Sequence, residues 1–329
     1  MADLRLKIAI ADYGHTRALK SGAVAIAGVD ADFVAVVPIV AAFRRMVRDL
    51  EFDVCEMAPT TYLIAKSHGA PYTALPIFLM RRFHHGGFLV RPDAGVTVPK
   101  DLEGKRVGVR AWSVTTGVWT RGIFVNEYGL DASKVTWVVD DEEHVAALKL
   151  PPNVMKAPAG RSLQSMMASG EIQAGFTGRA GVGRAGPPVR DWDKNTAARA
   201  AALTWPELIA DSDEVEAAWF RRTGIYPVHG LVVVKDEHLR DHPWLARALM
   251  DAFTASKARY LQHLRTADAG GDDDRRYRGF GALMQDPLPY GIAANRNSVA
   301  ALVSYAMQQE LIGERPAPEA VLVAIDPST

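Results

Sequence analysis

The sequence predicts a two-lobed α/β protein with mixed sheets, covering helices and a double-crossover hinge. Three observations predict it. Short β-rich runs alternate with helical patterns from end to end, which argues a parallel or mixed sheet with helices on its faces. The first apolar run, Leu6–Ala11, breaks into a loop carrying Asp12, Tyr13, His15 and Arg17, so polar groups arrive at a strand's carboxyl end, where open α/β sheets bind ligands. Two extended segments, Phe88–Val90 and Ile225–Val234, are placed to cross between lobes.

Strands are predicted at Leu6–Ala11, Phe33–Val37, Val54–Met57, Thr73–Phe78, Phe88–Val90, Arg106–Arg110, Val135–Val139, Ala174–Thr177 and Leu231–Val234. Helices are predicted at Ile39–Leu50, Thr61–Ser67, Thr116–Tyr128, Glu142–Leu150, Leu163–Ser169 and Trp244–Leu264. The last is the clearest, because Asp241 and Pro243 open it and Leu245, Leu249, Phe253 and Tyr260 keep helical spacing. Pro- and Gly-rich stretches at 151–160, 178–188 and 269–281 read as solvated loops, including the charged run Asp272–Arg276. The two crossings assign residues 1–93 and 230–329 to one lobe and 94–229 to the other, with a ligand cleft between them. The phrase Val-Pro-Lys-Asp-Leu-Glu-Gly-Lys-Arg-Val-Gly-Val at 98–109 resembles the start of the second lobe in type II periplasmic binding proteins.

Composition excludes several classes. The 329 residues are 48% hydrophobic and 23% charged, ordinary for a globular protein, and the length suffices for two domains of about 100–200 residues. Lys+Arg and Asp+Glu both number 38, so there is no broad basic field and nucleic acid is not an expected partner. No apolar stretch approaches the ~20 residues of a membrane span, so no membrane partner is expected. Lys7 interrupts the first apolar run and no small-residue cleavage site follows, so a cytoplasmic location is expected. The single cysteine, Cys55, rules out an internal disulfide and reads as a buried small residue. The oligomeric state is not legible, and a homo-oligomer is left open.

Gly181-Val-Gly-Arg-Ala-Gly186 matches a dinucleotide fingerprint, but Pro187 and Pro188 forbid the helix it needs. Trp112-Ser-Val-Thr-Thr-Gly-Val-Trp119 is a better anion site, since it follows a strand and opens a helix, where Ser113, Thr115 and Thr116 could present hydroxyls and N–H groups. Thr60 and Thr61 after Val54–Met57, and Thr177 to Arg179 after Ala174, repeat that arrangement. Each threonine alone could merely cap a helix. Together with Arg17, Arg81, Arg110 and Arg179 these loops predict a carboxylate-binding site, because arginine grips carboxylates with two parallel hydrogen bonds. His15, His84, His85 and His229 fall at predicted strand ends; on an extended segment only one of His84 and His85 can enter a site. A divalent-metal set of His15, His85, His229 and Asp12 or Glu56 is the alternative reading, but it lacks any dense spacing motif, so no metal is assigned.

Glu51-Phe-Asp-Val-Cys-Glu-Met-Ala-Pro-Thr-Thr-Tyr-Leu-Ile-Ala-Lys66 and, above all, Asp286-Pro-Leu-Pro-Tyr-Gly-Ile-Ala-Ala-Asn-Arg296 resemble the 4,5-dihydroxyphthalate decarboxylase family, as do Asp12-Tyr13, Thr16-Arg17 and Leu19. The resemblance runs from the first strand to about residue 312 and covers Asp12, Arg17, Glu56, Arg81, His85, His229, Tyr290, Asn295 and Arg296. It departs at Gly14-His15, where an acidic residue and an arginine are expected, at His84 for arginine and at Gly86 for serine. It implies a cytoplasmic, cofactor-independent carboxy-lyase of the type II binding-protein fold, acting on a small hydroxylated aromatic dicarboxylate. Such chemistry needs a proton donor over the ring, a carboxylate anchor and a group for the phenol. The expected donor is His85 or His229; Asp12 or Glu56 would orient it or serve as base. Arg17, Arg81 and Arg110 are the expected anchors, with His15, His84, Tyr290 and Arg296 also lining the site. The rival reading is a non-catalytic solute-binding protein for an aromatic carboxylate.

Overall fold

The computed structural model describes residues 3–182, 205–266 and 270–325. Ten strands are described: β1 Leu4–Ala9, β2 Val29–Phe33, β3 Val54–Met57, β4 Tyr72–Arg81, β5 Phe88–Val90, β6 Arg106–Gly108, β7 Thr136–Val139, β8 Val154–Lys156, β9 Ala174–Phe176 and β10 Val228–Lys235. They form two five-stranded sheets, ordered β2-β1-β3-β10-β4 and β5-β9-β6-β7-β8. Both are mixed: β1 pairs parallel with β2 and β3, while β10 runs antiparallel to β3 and β4; β5 is antiparallel to β9 beside the parallel β9-β6-β7-β8.

The chain divides into two compact units, one of residues 1–82, 224–300 and 316–329, the other of 83–223 and 301–315. Chain passes fall after Arg82 and at Gly224; residues 301–315, within and beyond the helix Arg296–Gln308, group with the second unit, an excursion that no local signal in the sequence marks.

In the first unit, alternate residues of β1 (Leu6, Ile8), β4 (Leu75, Ile77, Leu79) and β10 (Val232, Val234) meet Leu245, Leu249 and Phe253 of the helix Leu245–Thr266 in one core. The period-two and period-four spacings bury one face of each element. The central strand β3 is buried at all four residues, including Glu56, which makes a polar side chain in the middle of this sheet conspicuous. In the second unit Val138, Leu163, Met166, Met167, Ile172 and Val182 form a smaller core.

Four predicted elements differ. The strand predicted at Phe33–Val37 lies earlier, as β2 Val29–Phe33, where Val29 to Phe33 pair in register with Leu4 to Ile8 of β1. Glu142–Leu150 forms no helix, because the Glu143 carboxylate accepts the backbone N–H groups of Trp112 and Ser113 and draws the segment away from helical pairing. The charged stretch after residue 269 contains a helix, Asp272–Gly279, with acidic residues in its first turn and Arg276 and Arg278 in its last, the arrangement the helix dipole favours. The 151–160 stretch holds β8. Of the Gly181–Gly186 phrase, residues 183–186 lie outside the described residues.

Candidate functional site

In the first unit β1 ends and the chain turns through residues 10–16, a turn tied by Thr16, whose Oγ1 donates to the Ala11 carbonyl at 2.8 Å and accepts the Tyr13 N–H at 2.9 Å. This turn wraps the Glu56 carboxyl group. The Ala11 N–H donates to Oε2 at 3.0 Å and the Tyr13 hydroxyl to Oε1 at 2.7 Å. On the opposite side Gly230, at an irregularity in the β10–β4 pairing, leaves room for Oε1: a Cβ there would stand 3.0 Å from it. Burial pushes the Glu56 carboxyl up to about 7, against the Ala11 and Tyr13 hydrogen bonds and the Lys20 charge, which favour ionisation. The same burial, with the Glu56 charge, pushes the Tyr13 phenol well above its ordinary range.

His15 lies beside this pair. Its ring stacks on Tyr13 at 5.2 Å and 3°, with Tyr260 tilted at 5.8 Å and Tyr277 edge-on at 6.5 Å. Gly14 is required by that packing, because a Cβ there would fall 2.0 Å from the Tyr260 ring. Burial lowers the His15 imidazole to about 3; the Leu79 carbonyl opposes this and the Lys257 charge adds to it. Glu56, Tyr13, His15, Tyr260 and Tyr277 thus form one buried polar and aromatic cluster within a single unit.

Two of the expected anchors, Arg81 and Arg110, are engaged within the chain. Arg81 is fully buried, donates to the Asn295 Oδ1 and the Tyr226 carbonyl, and lies 4.3 Å over the Tyr226 ring, so it ties β4 to the 289–298 segment rather than standing ready for a ligand. Burial lowers it to about 10, and it keeps its charge at neutral pH. Arg110 pairs with Asp141 at 3.1 Å, and Arg296 is exposed and paired with Glu319. Ser113 donates to Glu143, whose carboxylate also takes the Trp112 and Ser113 N–H groups, so this predicted anion loop already holds a carboxylate of the chain itself. Thr115 is buried and Thr116 half-buried in the first turn of the helix Thr115–Tyr128, and Thr60 and Thr61 are buried in the helix Pro59–Ser67. Arg179 stands in the turn Gly178–Ala180, and its side chain lies outside the described residues. Arg17 is exposed at the start of the short helix Arg17–Lys20.

Asp12, the alternative to Glu56 as orienting group or base, has a side chain that is 82% exposed and pairs with Lys20. Tyr290 lies under the Lys257 ammonium, 4.4 Å from the ring centre, while Lys257 pairs with Asp286 at 2.7 Å. Both expected proton donors are neutral imidazoles, not imidazolium, at neutral pH. The His229 ring, 3.3 Å from an Arg82 guanidinium nitrogen, is lowered well below its ordinary value by burial and by the Arg82 and Arg276 charges. His85, in the second unit, is lowered to about 4 by burial, with Trp219 edge-on at 5.1 Å. Its neighbour Glu216, 3.8 Å away, is pushed up to about 7 by burial despite accepting the His85 and Gly86 N–H groups, so the two do not form a full ion pair at neutral pH. His84 lies parallel to Trp119 at 6.4 Å. Among the described residues no three His, Cys, Asp or Glu side chains converge to hold a metal ion.

Sequence reasoning missed Tyr260 and Tyr277 as members of the cluster. Tyr260 was visible on the apolar stripe of its helix, whereas Tyr277 is a lone aromatic in a charged run. No helix among the described residues is long and apolar enough to cross a membrane.

A family model described as NMT1/THI5 like matches residues 10–149. A 4,5-dihydroxyphthalate decarboxylase from Comamonas testosteroni is 33% identical over 314 residues, covering 91% of this chain and 90% of the relative. A protein of the same name from Pseudomonas putida is 38% identical over 182 residues, covering 53% and 70%. Among solved structures, the alkanesulfonate-binding protein SsuA from Xanthomonas axonopodis pv. citri, bound to MOPS, aligns with a TM-score of 0.52 at 13% identity, over 98% of this chain and 96% of that one. The desulfurization enzyme DSZB aligns with a TM-score of 0.51 at 15% identity, over 97% and 96%. These structural likenesses establish a type II periplasmic-binding-protein-like fold, on which both a binding protein and an enzyme are built.

Proposed function

Because the chain belongs to the 4,5-dihydroxyphthalate decarboxylase family, a family named for carboxy-lyase activity, we propose that it decarboxylates a hydroxylated aromatic dicarboxylate, with 4,5-dihydroxyphthalate giving protocatechuate and carbon dioxide. The observation that carries this reading is the end-to-end similarity to the Comamonas testosteroni relative. In 4,5-dihydroxyphthalate each carboxylate is para to a hydroxyl. Electron push from that hydroxyl lets the carboxylate-bearing carbon accept a proton. The C–C bond then breaks, its electron pair restores the aromatic ring, and carbon dioxide leaves.

We assign the proton donor to Glu56. A donor must carry its proton at the working pH and give it up readily, which favours a group with a pKa near 7. Glu56 meets that requirement, whereas burial keeps the His15, His85 and His229 imidazoles neutral. After transfer the carboxylate is stabilised by the Ala11 N–H and the Tyr13 hydroxyl, then recovers a proton from solvent. The scheme asks for no redox cofactor and no metal. Arg17, exposed at the start of its helix, is the expected anchor that this reading retains.

Incubating the protein with 4,5-dihydroxyphthalate should release carbon dioxide and one equivalent of protocatechuate, and in heavy water the product should carry deuterium at the vacated carbon. Phthalate, which lacks the hydroxyl push, should not react. The fold neighbours favour a second reading, a solute-binding protein for an aromatic carboxylate. Saturable binding of 4,5-dihydroxyphthalate without carbon dioxide release would establish that reading and end the first.

A further inference from the structure

We propose that the His15 ring accepts a hydrogen bond from a phenolic hydroxyl, making the interior around it a subsite for the hydroxyl-bearing edge of an aromatic ligand. The proposal rests on the reading that the substrate is a hydroxylated aromatic acid, but it concerns recognition of the hydroxyl rather than loss of the carboxylate.

Buried polar groups are almost always hydrogen-bonded, and each exception calls for an explanation. His15 is 1% exposed, and with one ring nitrogen turned to the Leu79 carbonyl the other meets no hydrogen-bond partner among the described residues; the enclosed hydroxyl of Tyr290 is likewise unmet among them. The His15 backbone is held, because the Ser256 hydroxyl donates to its carbonyl at 2.6 Å, and the ring is fixed by its stack on Tyr13. A ring so firmly placed with a nitrogen unmet is built to meet something.

Its charge state narrows the choice. Burial and the Lys257 charge keep the imidazole neutral, so it has one N–H and one lone pair. The Leu79 carbonyl lies beside the ring and favours the N–H on its own side, which leaves the other nitrogen presenting a lone pair. A buried lone pair repels a carboxylate and matches an O–H donor. The surroundings fit the rest of such a ligand: Tyr260 and Tyr277 offer ring faces and edges, the usual partners of an aromatic ring. The Lys257 ammonium, over the Tyr290 ring, also favours electron density on a phenol oxygen. His15 takes no proton in this scheme. By accepting a hydrogen bond it pulls the phenolic hydrogen outward and strengthens the electron push toward the carbon that Glu56 protonates.

Two non-reacting probes test this on the full chain: benzoate, and protocatechuate, which differs from it only by two hydroxyls. Calorimetric titration should show protocatechuate binding roughly 2–10-fold tighter, the worth of one net hydrogen bond. His15→Phe, which keeps the stacking ring, should erase that preference and leave benzoate affinity unchanged. Nitrogen-15 spectra of the unaltered protein, which need no variant to fold, should show a His15 ring nitrogen shifting with protocatechuate and not with benzoate. A preference that survives in His15→Phe, equal binding of the two probes, or a His15 signal indifferent to both would overturn the proposal and leave the ring nitrogens to buried water. The carbon dioxide assay is separate. A His15-dependent hydroxyl preference without carbon dioxide release retires the decarboxylase reading alone, and carbon dioxide release with a His15-independent preference retires this proposal alone.

Discussion

The Tyr13 hydroxyl and Glu56 Oε1 stand 2.7 Å apart, joining the turn after β1 to the middle of β3 across 43 residues of sequence. The phenol is the donor, so the bond stabilises the ionised carboxylate more than the neutral acid. Tyr13→Phe removes that support and moves the Glu56 carboxyl above its present value of about 7. The alkaline limb of the kcat profile should move to higher pH, with a stability loss of roughly 0.5–1.5 kcal/mol. A pH–rate profile identical to that of the unaltered enzyme would uncouple Tyr13 from the titrating group.

Glu56 sets activity against stability. Its folded carboxyl, at about 7, lies above the ordinary value of 4.5, so between these two values the folded state holds a proton the unfolded state has lost. Stability from this group is therefore fully present below pH 4.5 and falls as the pH rises to 7, by on the order of 3 kcal/mol. Glu56→Gln should abolish that slope and make the protein more stable than the parent at pH 8, while lowering kcat by ~10²–10⁴-fold. Denaturant melts at pH 5 and pH 8, set beside kcat, check both halves.

His85→Gln and His229→Gln should each leave kcat within a few-fold of the parent, since both rings are neutral at the working pH. A loss of 10²-fold or more in either, with the fold intact, would return the proton donor to a histidine.

Arg81→Ala should behave as a folding defect. It strands the Asn295 side chain and the Tyr226 carbonyl in the interior, at a cost of roughly 2–5 kcal/mol. Arg17→Ala should change stability by less than about 0.5 kcal/mol, as exposed substitutions do, and raise KM if the side chain anchors a carboxylate. Thermal melts with steady-state kinetics separate the two, and an unchanged KM in Arg17→Ala would remove it from the site.

Gly230→Ala places a methyl group 3.0 Å from Glu56 Oε1, closer than such contacts ordinarily come. The carboxyl must shift by a few tenths of an ångström, so kcat should fall while the melting temperature drops only slightly. Unchanged turnover would mean that the position of Oε1 is not critical.

The sequence by itself determined the elements whose signals are local. The apolar runs of β1, β3 and β10 and the four-residue stripe of the helix Leu245–Thr266 follow from side-chain periodicity, and they bring Glu56 to a central strand and Tyr13 to the turn beside it. Tertiary structure alone decided what those residues could do. Glu56 keeps its proton because burial disfavours the carboxylate, while His85 and His229 stay neutral because burial disfavours the imidazolium. Arg81 and Arg110 looked like ligand anchors until Asn295 and Asp141 claimed them, and Tyr277 looked like surface until a helix turned it inward beside His15. Proton affinity and hydrogen-bond availability depend on burial and on partners tens to hundreds of residues away, and no local pattern in the chain encodes the distances at which those groups meet.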